Sequence, residues 1–420
     1  TMEPLLFLVH RIPYPPNKGD KIRSYHLLKH LAQRYRVYLG TFVDDADDWQ
    51  HVDTVKALCE DAHFAALNPR TARLRSLGEL ASERALTVAY YRDAGLQAWV
   101  TRVMRDAGIK RVLVFSSGMA QYVEVARDAR RVIDFVDIDS DKWRQYGEKK
   151  CWPISWLYRR EARQLLRYER RIAEAFDASL FVSSAEAEMF KQLAPESAGK
   201  VGFFSNGVDT DYFSPSPSFE NPYPGSGTSI VFTGAMDYWP NVDAVQWFAN
   251  EVLPTVRLTH PTVQFYIVGS RPSAKVQALA ALPGVQVTGT VPDVRPYLAH
   301  AQLSVAPLRV ARGIQNKVLE AMAMAKTVVV SPQALEGIDA LPGRDLLLAE
   351  NVQQFAAAVT AQLTRPDQAM GRNAREKVVS QYAWTANLSH IDELLNAEEK
   401  QSATPAVNRA SSLTSVRACS

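Results

Sequence analysis

The sequence predicts an α/β chain built from two doubly wound, Rossmann-like units. Short apolar runs alternate with helical patterns, and they do so twice along the chain. A Pro/Gly/Ser-rich stretch without apolar period, residues 214–227, separates the two series. The length of 420 residues leaves room for two domains, each with its own core.

In the first series the runs at 5–9, 37–42, 111–115, 132–135, 179–182 and 201–204 read as strands. They are almost continuously apolar, as strands of a parallel sheet covered on both faces must be. Helical patterns fall between them at 25–33, 96–107 and 120–129. In the second series the strand runs are 229–232, 263–268, 285–288, 303–306, 327–330 and 346–348, with helices over 242–253 and 317–325. The predicted organisation is a first domain over 1–208, a linker over 209–228, a second domain over 229–382, a last helix over 383–396 and a disordered tail over 397–420. The tail is rich in Ser, Thr and Ala and has no apolar period.

Charged residues make up 22% of the chain and apolar ones 47%, the balance of an ordinary globular protein. A net charge of +3 gives no electrostatic footprint for nucleic acid. Cys59, Cys151 and Cys419 have neither metal-site nor disulfide spacing, which fits a reducing compartment. No apolar run approaches the ~18 residues of a membrane span. The expected location is the cytoplasm, with peripheral contact at the inner face of the cell membrane as an extension of it.

The chemistry concentrates in two loops. The stretch from Arg309 to Ala323 sets a cation-rich loop, with Arg309, Arg312 and Lys317, against the start of a helix. Helix N-termini offer unpaired N–H donors and a partial positive charge, and Gly313 allows an anion close to the backbone. Glu320 then falls on the ligand side, where a carboxylate suits the vicinal hydroxyls of a ribose or a sugar. An ordinary amphipathic helix is the competing reading. The other loop runs from His10 to Arg23, after the first strand, where Gly19 permits close backbone contact with a ligand and a plain strand-to-helix loop is the competing reading.

Four sets of residues together resemble glycosyltransferase family 4. They are Gly19 after the first strand, Ser205-Asn206-Gly207-Val208-Asp209 before the linker, Phe232-Thr233-Gly234 opening the second domain, and Gly313 followed by Glu320-Ala321-Met322-Ala323. The phrases Asp237-Tyr238-Trp239-Pro240-Asn241, Gly313-Ile314-Gln315-Asn316-Lys317 and Asp137-Ile138-Asp139-Ser140-Asp141-Lys142-Trp143 look most like bacterial sugar transferases associated with exopolysaccharide and exosortase gene clusters. The resemblance implies the GT-B fold: two Rossmann-like domains with parallel sheets facing across a cleft, and a C-terminal helix crossing back to the first domain. It also implies a retaining transfer from a nucleoside-diphosphate sugar to a lipid-linked or polysaccharide acceptor, with no metal and no cofactor. Two alternatives stay open, a non-catalytic nucleotide- or glycan-binding subunit and a nucleotide-sugar epimerase of the same fold.

The resemblance, together with the chemistry of the loop and strand-end residues, gives the following expected roles. Gly234 faces the donor diphosphate and Glu320 binds the donor ribose. Gly19, Asn241, Arg309, Gly313, Ile314, Gln315 and Asn316 complete the donor side. Asp137, Arg312 and Lys317 are the catalytic candidates, and Ser117, Gly118 and Asp139 line the acceptor side. Two departures stand out. No cation follows Gly234, and Arg312 occupies the place of the first acid in the family's glutamate pair.

One further stretch attracts notice. Between residues 142 and 171 ten Lys/Arg face three Glu, with Trp152, Trp156 and Tyr158 among them. Such a basic, aromatic-flanked helix suits an anionic membrane, and equally a solvated surface laced with Arg–Glu pairs.

Overall fold

The computed structural model describes residues 2–16, 19–148, 150–225, 227–311 and 313–397. Arg312 and the tail from residue 398 onward therefore lie outside the described residues.

The first lobe is built on β1 (Glu3–Val9), β2 (Tyr35–Val43), β3 (Asp61–Ala66), β4 (Arg111–Phe115), β5 (Arg130–Val136), β6 (Ala178–Phe181) and β7 (Val201–Phe203). All pairings are parallel, in the order β3-β2-β1-β4-β5-β6-β7. The second lobe repeats the plan with β8 (Ser229–Thr233), β9 (Gln264–Val268), β10 (Val285–Gly289), β11 (Leu303–Ala306), β12 (Val328–Val330) and β13 (Leu347–Leu348). Its order is β10-β9-β8-β11-β12-β13. In each sheet the order reverses beside the first strand, at β1/β4 and at β8/β11. Open parallel sheets bind ligands outside the carboxyl ends of strands at such a switch point.

Several helices position the sites: α1 (Gly19–Ala32), α2 (Asp139–Glu148), α3 (Ile154–Ala175), α4 (Trp239–Trp247), α5 (Asn316–Ala323) and α6 (Trp384–Asn396). Asp20 lies in the first turn of α1 and Lys29 and His30 in its last, charges that complement the helix dipole. Helix α6 buries Trp384, Leu388, Ile391 and Leu395 in a first-lobe core that includes Leu5, Phe7 and Leu31. His26 of α1 stacks on Trp384 with ring centroids 4.5 Å apart, and His30 Nε2 lies 2.8 Å from Asp392. The chain thus returns from the second lobe to close over the first. No helix among the described residues is long and apolar enough to cross a membrane.

The predicted helix over 120–129 is absent. A 3-10 turn, Ser117–Tyr122, stands there instead. Arg131 donates to the carbonyls of Val123 (3.1 Å) and Glu124 (2.8 Å), which a helix would have used internally. The predicted helix over 242–253 is also interrupted: α4 ends at Trp247, a π turn spans Phe248–Val252, and a new helix starts at Leu253 with a proline in its first turn.

Candidate functional site

In the second lobe the carboxyl ends of β8 and β9 come unusually close. A Cβ on Gly269 would lie 1.6 Å from the Gly234 carbonyl oxygen, and both glycines have φ in the region side chains avoid, +158° and +152°. This approach opens a cavity of about 760 Å³ at the switch point, bounded by Gly234, Gly269, Ser270, Thr290, Lys317 and Glu320, among others. Ile314, Gln315 and Asn316, the run that leads into α5, also line it. So do Asn241 of α4 and Phe213 of the linker.

Asn241 organises the wall. Its Nδ2 donates to the Ala235 carbonyl at 2.9 Å, and its Oδ1 accepts from Lys317 Nζ at 2.9 Å. The loop after Gly234, which carries no cation of its own, is thereby tied to a cation on α5. Lys317 Nζ also lies over the Phe232 ring, 5.3 Å from its centroid. Burial pulls the Lys317 ammonium down to about 8, against the opposing pull of Glu320. Burial likewise pushes the Glu320 carboxyl up to about 7, with Lys317 opposing. The cavity thus holds an ammonium and a carboxyl three residues apart on one helix face, both titrating near neutrality.

The remaining donor-side residues divide. Gly313 has φ +66°, with no atom within 4 Å of the place a Cβ would take. Its carbonyl accepts from Gln315 Nε2 at 3.2 Å, and it is outside the cavity wall. Arg309 is turned away: its guanidinium forms a two-pronged pair with Asp243 of α4, at 2.9 and 2.5 Å, and it does not line the cavity. The partner lies 66 residues earlier in sequence, so the loop pattern alone gave no sign of it. Gly19 begins α1 on the first lobe, where the space a Cβ would take is likewise open.

Ser270 and Thr290 were not singled out from sequence. The signal was present for the former: Gly269 closes the apolar strand β9 just as Gly234 closes β8. Thr290 had none, because β10 carries polar residues along its length.

At the first-lobe switch point, strand-end backbone is strained. Ser116, after β4, has φ +79°, and Val136, at the end of β5, has φ +68°, a rare conformation for a β-branched residue. They flank a cluster of polar groups. Asp137 Oδ2 lies 2.7 Å from Lys142 Nζ, and Asp139 Oδ1 lies 3.7 Å from the same nitrogen. Ser117 Oγ donates to Asp139 Oδ2 at 3.3 Å. Burial raises the Asp139 carboxyl, with Lys142 and then His10 opposing and Asp137 adding to the rise. Behind it, Glu169 accepts from Ser140 N and Oγ at 3.1 and 2.5 Å, and burial together with Asp139 pushes it up to about 8. Gly118 belongs to the packing: a Cβ there would come within 2.6 Å of the Tyr91 ring.

The fold and the strand-end cavity define a class, since paired parallel-sheet lobes of this kind are the architecture of GT-B glycosyltransferases. Residues 227–365, nearly all of the second lobe, match the family model described as glycosyl transferases group 1. Together these support a GT-B glycosyltransferase. No curated protein sequence matches the chain. Among solved structures, sucrose-phosphate synthase from Thermosynechococcus elongatus is 17% identical with a TM-score of 0.60, covering 93% of this chain and 98% of that one. The Anabaena protein Alr3699/HepE in complex with UDP and glucose is 17% identical with a TM-score of 0.60, covering 94% of this chain and 100% of that one. WaaG, a glycosyltransferase involved in lipopolysaccharide biosynthesis, is 14% identical with a TM-score of 0.57, covering 94% and 100%. At these identities the likeness is one of fold.

Proposed function

We propose that the chain transfers a hexose-type sugar from a nucleoside-diphosphate donor to a lipid-linked or polysaccharide acceptor, with retention of anomeric configuration, in exopolysaccharide synthesis at the cytoplasmic face of a membrane. The single observation that carries the reading is the Lys317/Glu320 pair in the β8/β11 cavity. HepE, of the same fold, was solved with UDP and glucose, which supports a nucleotide sugar as donor.

In this reading the diphosphate lies against Lys317 and the backbone donors around Ile314–Asn316, while Glu320 accepts from ribose hydroxyls. A departing nucleoside diphosphate gathers negative charge, and an ammonium already fixed in place stabilises that charge without reorganising. Asn241 supplies the fixing. No metal is called for at this step in the reading, because Lys317 and the helix donors meet the charge of the diphosphate. On the first lobe, Asp137 and Asp139 orient the acceptor hydroxyl beside the anomeric carbon, and Lys142 keeps their charge local. Arg312, the other catalytic candidate of this loop, adds positive charge for the departing diphosphate in the same reading.

A second reading, a non-catalytic binding subunit, is favoured by Arg312 standing where relatives carry an acid. Calorimetry against UDP-, GDP- and ADP-sugars, followed by an assay for donor hydrolysis and transfer, separates the two. Saturable binding with turnover that falls about a hundredfold in Glu320→Ala supports the transferase. Binding without turnover supports the subunit, and no binding by any nucleotide sugar sinks the transferase and leaves only a glycan-binding subunit.

A further inference from the structure

Helices α2 and α3 form an antiparallel pair whose outer end has no role in the donor site. Two contacts set the pairing: Glu169 accepts from Ser140 near the base, and Gly147 near the top lies against Tyr158 and Arg159, where a Cβ would sit 3.3 and 3.4 Å from their side chains. The connection between the helices therefore projects away from the end of β5. Large apolar side chains cluster there in the open. Trp152 is 81% exposed, Trp156 50% and Ile154 48%. Nearby, Trp152, Trp156, Arg144, Arg159, Arg163 and Leu166 line a recess of about 530 Å³.

The arginines of α3 do not all behave alike. Arg160 turns inward and donates to the carbonyls of Glu79, Ser82 and Arg84. Arg167, Arg170 and Arg171 pair with Glu83, Glu196 and Glu124. Arg159 and Arg163 are exposed and have no acidic partner among the described residues. The unpaired cations are thus the two beside the exposed tryptophans. A merely solvated helix accounts for paired arginines on its flank. It does not account for three large apolar side chains gathered in water next to the two arginines left unneutralised.

We propose that this corner docks on an anionic phospholipid bilayer. Trp152, Ile154 and Trp156 enter the interfacial layer, where amphipathic indole rings are favoured, and Arg159 and Arg163 bind lipid phosphates by forked hydrogen bonds. Charge complementarity selects the partner: an anionic leaflet attracts each nearby arginine, and the apolar cluster supplies anchorage that does not depend on salt. The inference goes beyond the transfer reaction and does not depend on it.

The test is cosedimentation of the full chain with vesicles of phosphatidylcholine alone and of phosphatidylcholine mixed with phosphatidylglycerol. The wild type should partition onto the mixed vesicles, and added salt should weaken but not abolish the binding. Trp152→Ala/Trp156→Ala and Arg159→Gln/Arg163→Gln should each lower the partition coefficient roughly tenfold or more. The control Arg167→Gln/Arg170→Gln should stay within about twofold. Trp152→Phe/Trp156→Phe, which keeps the apolar bulk, serves if the alanine pair fails to fold, and should bind more weakly than wild type. Equal binding by wild type and both test pairs overturns the proposal, as does indifference of the wild type to lipid charge. A dimer in solution that the tryptophan pair abolishes, without vesicle binding, overturns it in favour of a second copy. Nucleotide-sugar affinity measured on the same variants without lipid should be unchanged, so failure here is distinguishable from failure of the donor site.

Discussion

Lys317 Nζ and Asn241 Oδ1 stand 2.9 Å apart although 76 residues separate them in the chain. Through Asn241 the ammonium is linked to the Ala235 carbonyl, so one amide side chain joins the loop after β8 to the first turn of α5. Replacing Asn241 by Ala removes two part-buried hydrogen bonds and takes a partner from each of the Ala235 carbonyl and the Lys317 ammonium. Urea unfolding should show a loss of about 2–4 kcal/mol, each orphaned partner costing ~1–3. Calorimetry should show weaker nucleotide-sugar binding alongside it. Unchanged stability would mean that water replaces the amide.

Donor binding should depend on pH in both directions. Below about 7 the Glu320 carboxyl is protonated and accepts ribose hydroxyls poorly; above about 8 Lys317 loses the charge that meets the diphosphate. Affinity should therefore be greatest between about 7 and 8 and fall on each side. In Glu320→Gln the acid limb should vanish while the alkaline limb persists. A flat profile in the wild type contradicts the assignment of the two roles.

Arg23 and Asp134 form a fully buried ion pair, with Nε to Oδ2 at 2.8 Å and both side chains at 0% exposure. Arg23 Nη1 donates besides to Phe204 O and Asn206 Oδ1, at 2.9 and 3.0 Å, at the junction between the lobes. Arg23→Met strands a buried carboxylate and should cost about 3–5 kcal/mol by denaturant unfolding. Arg23→Met/Asp134→Leu should recover much of that loss, because the orphaned charge goes with its partner. Equal losses in the single and double variants would place the energy in the Phe204 and Asn206 bonds instead.

Gly269 in the cavity wall and Gly313 outside it should respond very unequally to the same change. Gly269→Ala drives a Cβ to 1.6 Å from the Gly234 carbonyl and should unfold or reshape the second lobe. Gly313→Ala meets open space and bears only the strain of φ +66°, about 1–2 kcal/mol. Soluble yield and melting temperature check both. A well-folded Gly269→Ala protein with native nucleotide affinity would show that the strand ends can separate freely.

Much of the fold was legible because parallel strands are covered on both faces, so β1, β4 and β8 appear as plain apolar runs. Strand β3 was missed. Its sequence, Asp-Ala-His-Phe-Ala-Ala, lies at the sheet edge, mostly half-buried, and carries too few large apolar side chains to stand out. The broken helices had tertiary causes, such as the hold of Arg131 on carbonyls that a helix over 120–129 would need. In the site, Lys317 and Glu320 were visible because both lie on one face of a short helix behind a glycine loop. The capture of Arg309 by Asp243 and the clamping of Lys317 by Asn241 each join residues more than 60 positions apart. Local pattern carries no information about such pairs.

The most direct test of the donor site compares Lys317→Met with Arg309→Met in affinity for the nucleotide sugar that the wild type binds best. Loss of roughly a hundredfold in Lys317→Met and less than about threefold in Arg309→Met is the predicted result, a buried charge-assisted bond to phosphate being worth ~1.5–3 kcal/mol and an exposed, already paired arginine little. The reverse pattern, with Arg309 dominant and Lys317 dispensable, would contradict the placement of the diphosphate against α5.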